Sequence, residues 1–201
     1  MESVGFKEWA AVCEALGCGR QSIILRKGGI AEGREGFSFK HREFFLFPTW
    51  FHEQPQKVRN ELWRGLPSPW SGAGEDSIAK MPMSQDEGIE IKYAAQLDTV
   101  RTIVSIETAE ALAPLHILRP DVVRERFQYD KAPGLQVALV RLFRVQPGWK
   151  FPNEPKYGGC RSWVKLPDVP NRIVMQPVLT DQEHDRLRSQ FLAIVEVRQF
   201  E

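Results

Sequence analysis

Residues 135–145 read Leu-Gln-Val-Ala-Leu-Val-Arg-Leu-Phe-Arg-Val. Apolar residues fill both alternating sets in the middle of this run. Both faces are therefore covered, and a strand at the centre of a sheet is predicted. Arg141 and Arg144 flank the middle and point to opposite faces of a regular strand. Arg141 lies within the apolar run, so a buried partner is expected, with Asp98 and Glu90 as candidates.

The neighbouring segments extend the pattern. Ile89, Ile91 and Tyr93 alternate with Glu90 and Lys92, which predicts a half-buried strand. Residues 99–106 give a second β-branched run. Short helices are expected at 108–113 and 121–127, and a strand at 160–166. Thr180-Asp181-Gln182-Glu183 is a capping box ahead of Leu187, Phe191 and Ile194, which line one helical face. Upstream, Trp9, Val12, Cys13 and Leu16 fall at helical spacing and predict a helix over 2–16. Strands are predicted at 22–26, turning at Lys27-Gly28-Gly29, and at 43–47, ending at Pro48. These two are expected to form a long-looped antiparallel pair. Pro55 opens a short helix over 55–63. Residues 65–88, rich in Gly, Pro, Ser and acid, read as a loop or tether within one domain spanning 1–201. The fold class is thus α+β, mostly antiparallel, with an N-terminal and a C-terminal helix.

With 42% hydrophobic and 26% charged residues, twelve Phe and six Trp, the 201-residue chain is neither disordered nor collagen-like. Its apolar runs are too short to span a bilayer, so no membrane partner is expected. No secretory leader is read, and three Cys cannot pair evenly, so a reduced, cytoplasmic protein is expected. Net charge is +1, but residues 119–172 carry eleven Lys or Arg against five Asp or Glu. A basic half facing a polyanion is one reading. Mutual neutralisation with the acidic 65–118 stretch is the other, and the preferred one.

Lys7-Glu8-Trp9, Cys13-Glu14-Ala15-Leu16, Leu25-Arg26-Lys27-Gly28-Gly29-Ile30 and Phe45-Leu46-Phe47-Pro48-Thr49 occur in this order. Arg126-Phe127, Val140-Arg141-Leu142-Phe143-Arg144 and Tyr157-Gly158-Gly159-Cys160-Arg161-Ser162-Trp163 follow. Together they resemble the bacterial and archaeal family called domain of unknown function 1802, over about residues 7–166. The resemblance implies no established activity. Some relatives are linked with restriction-endonuclease-like domains, which implies a role beside restriction or defence and a restriction-type nuclease as partner. The element order of the second half resembles the small PUA and ASCH barrels, which bind nucleic acid.

Several residues are candidates for a site. Arg26 and Lys27 beside Gly28 and Gly29 combine charge with exposed backbone N–H groups and suit a phosphate, although the spacing matches no phosphate-loop fingerprint. The plainer alternative is a charged strand end. His52, followed by Glu53, is the histidine chosen as base or phosphate contact. His41, His116 and His184 read as turn, loop and helix surface. Arg161 and Trp163 share a face on a regular strand and suit a nucleotide. Cys160 is a nucleophile only if a base such as His52 meets it, and a buried structural thiol is preferred. Glu90-x-Lys92 with Asp76 or Asp86 formally resembles a nuclease metal site, but Glu-x-Lys is common in amphipathic strands. Cys13 and Cys18 lack a second ligand pair for zinc, so no metal and no cofactor are expected. The leading reading is an accessory module that binds nucleic acid or another polyanion. A hydrolase or nuclease acting on nucleic acid or nucleotides, and a protein-interaction subunit, are the alternatives.

Overall fold

The computed structural model of the chain describes residues 1–27, 37–50, 54–63, 88–129 and 133–197. Among these, seven strands join in one sheet: β1 Val4–Trp9, β2 Ile23–Arg26, β3 Glu43–Thr49, β4 Ile89–Ile103, β5 Leu135–Phe151, β6 Trp163–Lys165 and β7 Val174–Pro177. The apolar run at 135–145 does lie at the centre. β5 pairs β4 along its whole length, from Ile89↔Phe151 to Ile103↔Leu135. Its other edge takes β2 at Ile23↔Leu139 and β7 at Phe143↔Pro177. The order is β2-β5-β4-β3-β1-β6. Every pairing is antiparallel except β1 with β3. The helices are α1 Ala10–Gly17, α2 Gln54–Lys57, α3 Asn60–Trp63, α4 Ile106–Ala111, α5 Pro120–Gln128 and α6 Asp181–Val197. The class is therefore α+β and mostly antiparallel, as expected.

Strand alternation divides the interior in two. In β3, Phe44 and Leu46 join a large core with Phe6, Leu16, Ile23 and Phe191. Phe45 and Phe47 point the other way, into a second core with Ile91, Trp149, Val164 and Leu166. The sheet has apolar side chains on both faces, and burying that surface is its main stabilisation.

The expected helix over 2–16 is half strand. Val4–Trp9 pairs with β3 on one side and β6 on the other. The two ladders satisfy its backbone, and even Lys7 and Glu8 are buried. The helical spacing from Trp9 onward belongs to α1, all eight of whose residues are buried. Nor do β2 and β3 pair with each other: β5 and β4 stand between them. The helix over 55–63 is broken at Val58, which bridges Leu118. The two strands expected over 89–106 are one, β4, with a bulge at Asp98 between Leu97 and Thr99. Only Trp163–Lys165 of the 160–166 run is strand. Of the 65–88 tether, only Gly88 lies within the described residues.

The C-terminal helix begins as its capping box dictates. Thr180 N donates to Glu183 Oε2 at 2.8 Å and Glu183 N to Thr180 Oγ1 at 3.3 Å. His184, expected on the helix surface, is buried instead. Its Nε2 lies 2.9 Å from Asp98 Oδ2, and Arg188 Nε lies 3.4 Å from Oδ1. The β4 bulge thus pins α6. Burial opposes ionisation of Asp98, but hydrogen bonds from His184 and Thr99 and the Arg188 charge outweigh it, holding the carboxyl below its usual range.

Two predictions follow from this packing. A Cβ on Gly17 would lie 2.0 Å from the Tyr93 ring. That ring is held by its hydroxyl, which donates to Glu14 Oε2 at 2.8 Å. Gly17→Ala is expected to cost roughly 1–3 kcal/mol in urea unfolding by overpacking, and an unchanged midpoint would contradict this packing. Because folding lowers the Asp98 pKa, its stabilisation is complete above the unfolded value of about 3.9 and is lost as pH falls through the folded value. Asp98→Asn should flatten the acid limb of Tm against pH below about pH 4. An acid limb as steep as in the parent chain would remove Asp98 as its source.

Candidate functional site

β1 organises the polar and aromatic groups on both its sides. Phe6, fully buried, meets the edge of Trp163 at 4.9 Å and the ring of Phe44 at 5.3 Å. The Arg26 guanidinium lies 4.8 Å from its centroid, a cation–π contact, and Arg26 Nη2 donates to the Lys7 carbonyl at 2.5 Å. Arg126 of α5 lies 4.4 Å from the Trp9 centroid and donates to the Leu25 carbonyl at 2.9 Å. Burial, opposed by the Glu8 charge and aided by Arg26, lowers its pKa. Arg26 and Arg126 therefore clasp the ends of β1 and β2 around the buried Glu8.

β6 is the last strand of the sheet, so Trp163 stands at its margin, half-buried. Its indole meets His41 edge-on at 4.9 Å, and its Nε1 is buried with no hydrogen-bond partner. Beside it runs a groove of about 410 Å³. Glu2 and Ser3 ahead of β1, its first residue Val4, the whole of β6 and His41 line it. His41 Nδ1 lies 3.1 Å from Glu2 Oε2. Lys165 is exposed, as are Lys40 and Arg42, which flank His41 in the chain. An aromatic side chain, a carboxylate and an ammonium thus border one open groove.

Phe6 links Trp163 to Arg26. Lys27 follows β2, while Gly28, Gly29, His52 and Glu53 lie outside the described residues. Arg141 pairs with Asp181 at the start of α6. The expected partners are otherwise engaged: Asp98 by His184, and Glu90 by Lys150 at 3.7 Å. An exposed carboxylate suffices because Arg141 itself is only half-buried. Lys92 Nζ donates to Glu14 at 2.9 Å, so Glu90 and Lys92 serve two separate ion pairs. Asp76 and Asp86 lie outside the described residues, among which no metal-holding cluster of His, Cys, Asp or Glu occurs. His116 is buried rather than in an open loop. Burial, with the charges of Arg59 and Arg126, pushes its pKa down to about 3. Leu118 N donates to its Nδ1, so the neutral ring carries its proton on Nε2.

Arg161 is exposed on the loop before β6, so strand alternation does not relate it to Trp163. Lys7 ties this loop down by donating to the carbonyls of Gly158 at 3.2 Å and Gly159 at 3.0 Å. Burial lowers the Lys7 pKa, the Cys160 charge opposes this, and Arg161 adds to it. Cys160 is exposed, contrary to the expectation of a buried thiol, because the Gly158-Gly159 turn carries it outward. Cys13 is buried and its thiol pKa is pushed up, first by burial and then by Glu8 and Glu14. Burial also raises that of Cys18. A thiol-specific reagent is expected to label one cysteine fast, and Cys160→Ser to abolish that phase. A fast phase that survives the substitution would refute the assignment.

The residues missed in the sequence are Glu2, His41 and Lys165. No local motif unites them, and the available signal was Lys165, two residues after Trp163 in a strand pattern.

A family model described as Domain of unknown function (DUF1802) matches residues 5–190. No curated protein matches the chain. Among solved structures, ASCH from Zymomonas mobilis is 12% identical, with a TM-score of 0.42 over 92% of this chain and 93% of that one. A point mutant of the same protein gives 11% and 0.43 over 92% and 94%.

Proposed function

The chain belongs to the DUF1802 family, and from that premise we propose that it binds single-stranded nucleic acid along the β1–β6 groove. The observation that carries the reading is the groove itself: about 410 Å³, bordered by a half-buried tryptophan and opening beside exposed cations. Trp163 offers a stacking surface for an unpaired base, and its rigidity comes from Phe6 and Phe44 behind it. Arg161, on the loop just before β6, takes backbone phosphate, and Lys165 adds positive charge at the groove. A base paired within a duplex cannot enter, because its faces are already stacked. From the family resemblance alone we carry forward a restriction-type nuclease as protein partner; co-elution of the two chains is its test.

Fluorescence anisotropy with single-stranded and duplex oligonucleotides tests the binding. Single strands should bind more tightly, with log K falling linearly in log salt. Lys165→Glu with Arg161→Glu, both at exposed positions, should weaken binding roughly tenfold or more and flatten the salt slope. Lack of any salt-sensitive binding at low ionic strength would overturn the proposal.

A further inference from the structure

We propose that the groove selects guanine, an inference that rests on the nucleic-acid reading and deepens it. Two charged side chains of opposite sign line the groove, Glu2 and Lys165. Glu2 is held through Oε2 by His41 Nδ1 at 3.1 Å. A carboxylate retains accepting lone pairs on both oxygens and donates nothing. Set against the Watson–Crick edge of a base, it needs two adjacent donors. Guanine supplies them as N1–H and N2–H. Adenine and cytosine each place a ring acceptor next to their amino group, and uracil flanks its one N–H with carbonyls, so each meets the carboxylate with repulsion. Guanine also presents O6 and N7 together, the acceptor pair that an ammonium such as that of Lys165 recognises. The indole of Trp163 supplies the stacking surface, which by itself favours no base. The selectivity thus resides in the two charges that line the groove with it.

Calorimetric titration with the four ribonucleoside 5′-monophosphates tests this directly. The guanine nucleotide is expected to bind on the order of tenfold more tightly than the other three. Glu2→Gln, at a side chain that is 77% exposed, should abolish that preference. Equal affinity for all four nucleotides, or a guanine preference that survives Glu2→Gln, would overturn the inference. Either result leaves the nucleic-acid reading standing if oligonucleotides still bind. Failure of oligonucleotides to bind would fell that reading, whatever the nucleotides do.

Discussion

The ring of Phe6 is the contact on which the rest of the molecule turns. It has no exposed surface, and it sits on the strand that joins β3 to β6. Phe37, Phe39, Phe44 and Trp163 surround it, with the Arg26 guanidinium against it as well. A tryptophan at the open margin of a sheet would ordinarily be free to change rotamer. Here the aromatic cluster fixes its edge, so that one side chain serves both core and surface. The same ring brings a cation from β2 against β1, two strands that do not pair.

Several polar groups of the described residues serve as fastenings. Arg26 and Arg126 clasp strand ends, Asp98 holds α6 through His184, and Lys7 secures the loop before β6. Each is at least partly covered, so each hydrogen bond also avoids the cost of an unpaired buried charge. Exposed charged side chains at the sheet margin include Lys165, Arg161 and Glu2.

What was legible in the sequence follows physical range. The run at 135–145 was readable because burial on both faces leaves a continuous apolar signal. The capping box of α6 was readable because its hydrogen bonds are local. β1 was misread because Lys7 and Glu8 break its alternation, yet both are buried, Lys7 with carbonyls far along the chain as its partners. His184 looked like a surface residue because nothing in the helix reveals a bulge in another strand. Arg26 and Trp163, both named as candidate site residues, meet the same ring, Phe6, a contact that no local pattern reveals. The groove was not foreseeable, since Glu2, His41 and Lys165 come from three separate segments.

The parallel pairing of β1 with β3 bears on how the protein is made. Phe6 faces Leu46 on one side and Trp163 on the other. A ribosome releases β1 first, yet its second ladder closes only when β6 has emerged. Until then an apolar strand with an open edge must wait in the growing chain, and such an edge is a template for wrong pairing. The buried Lys7-Glu8 pair gives the waiting strand a charged interruption, which makes it a poor target for self-association during synthesis.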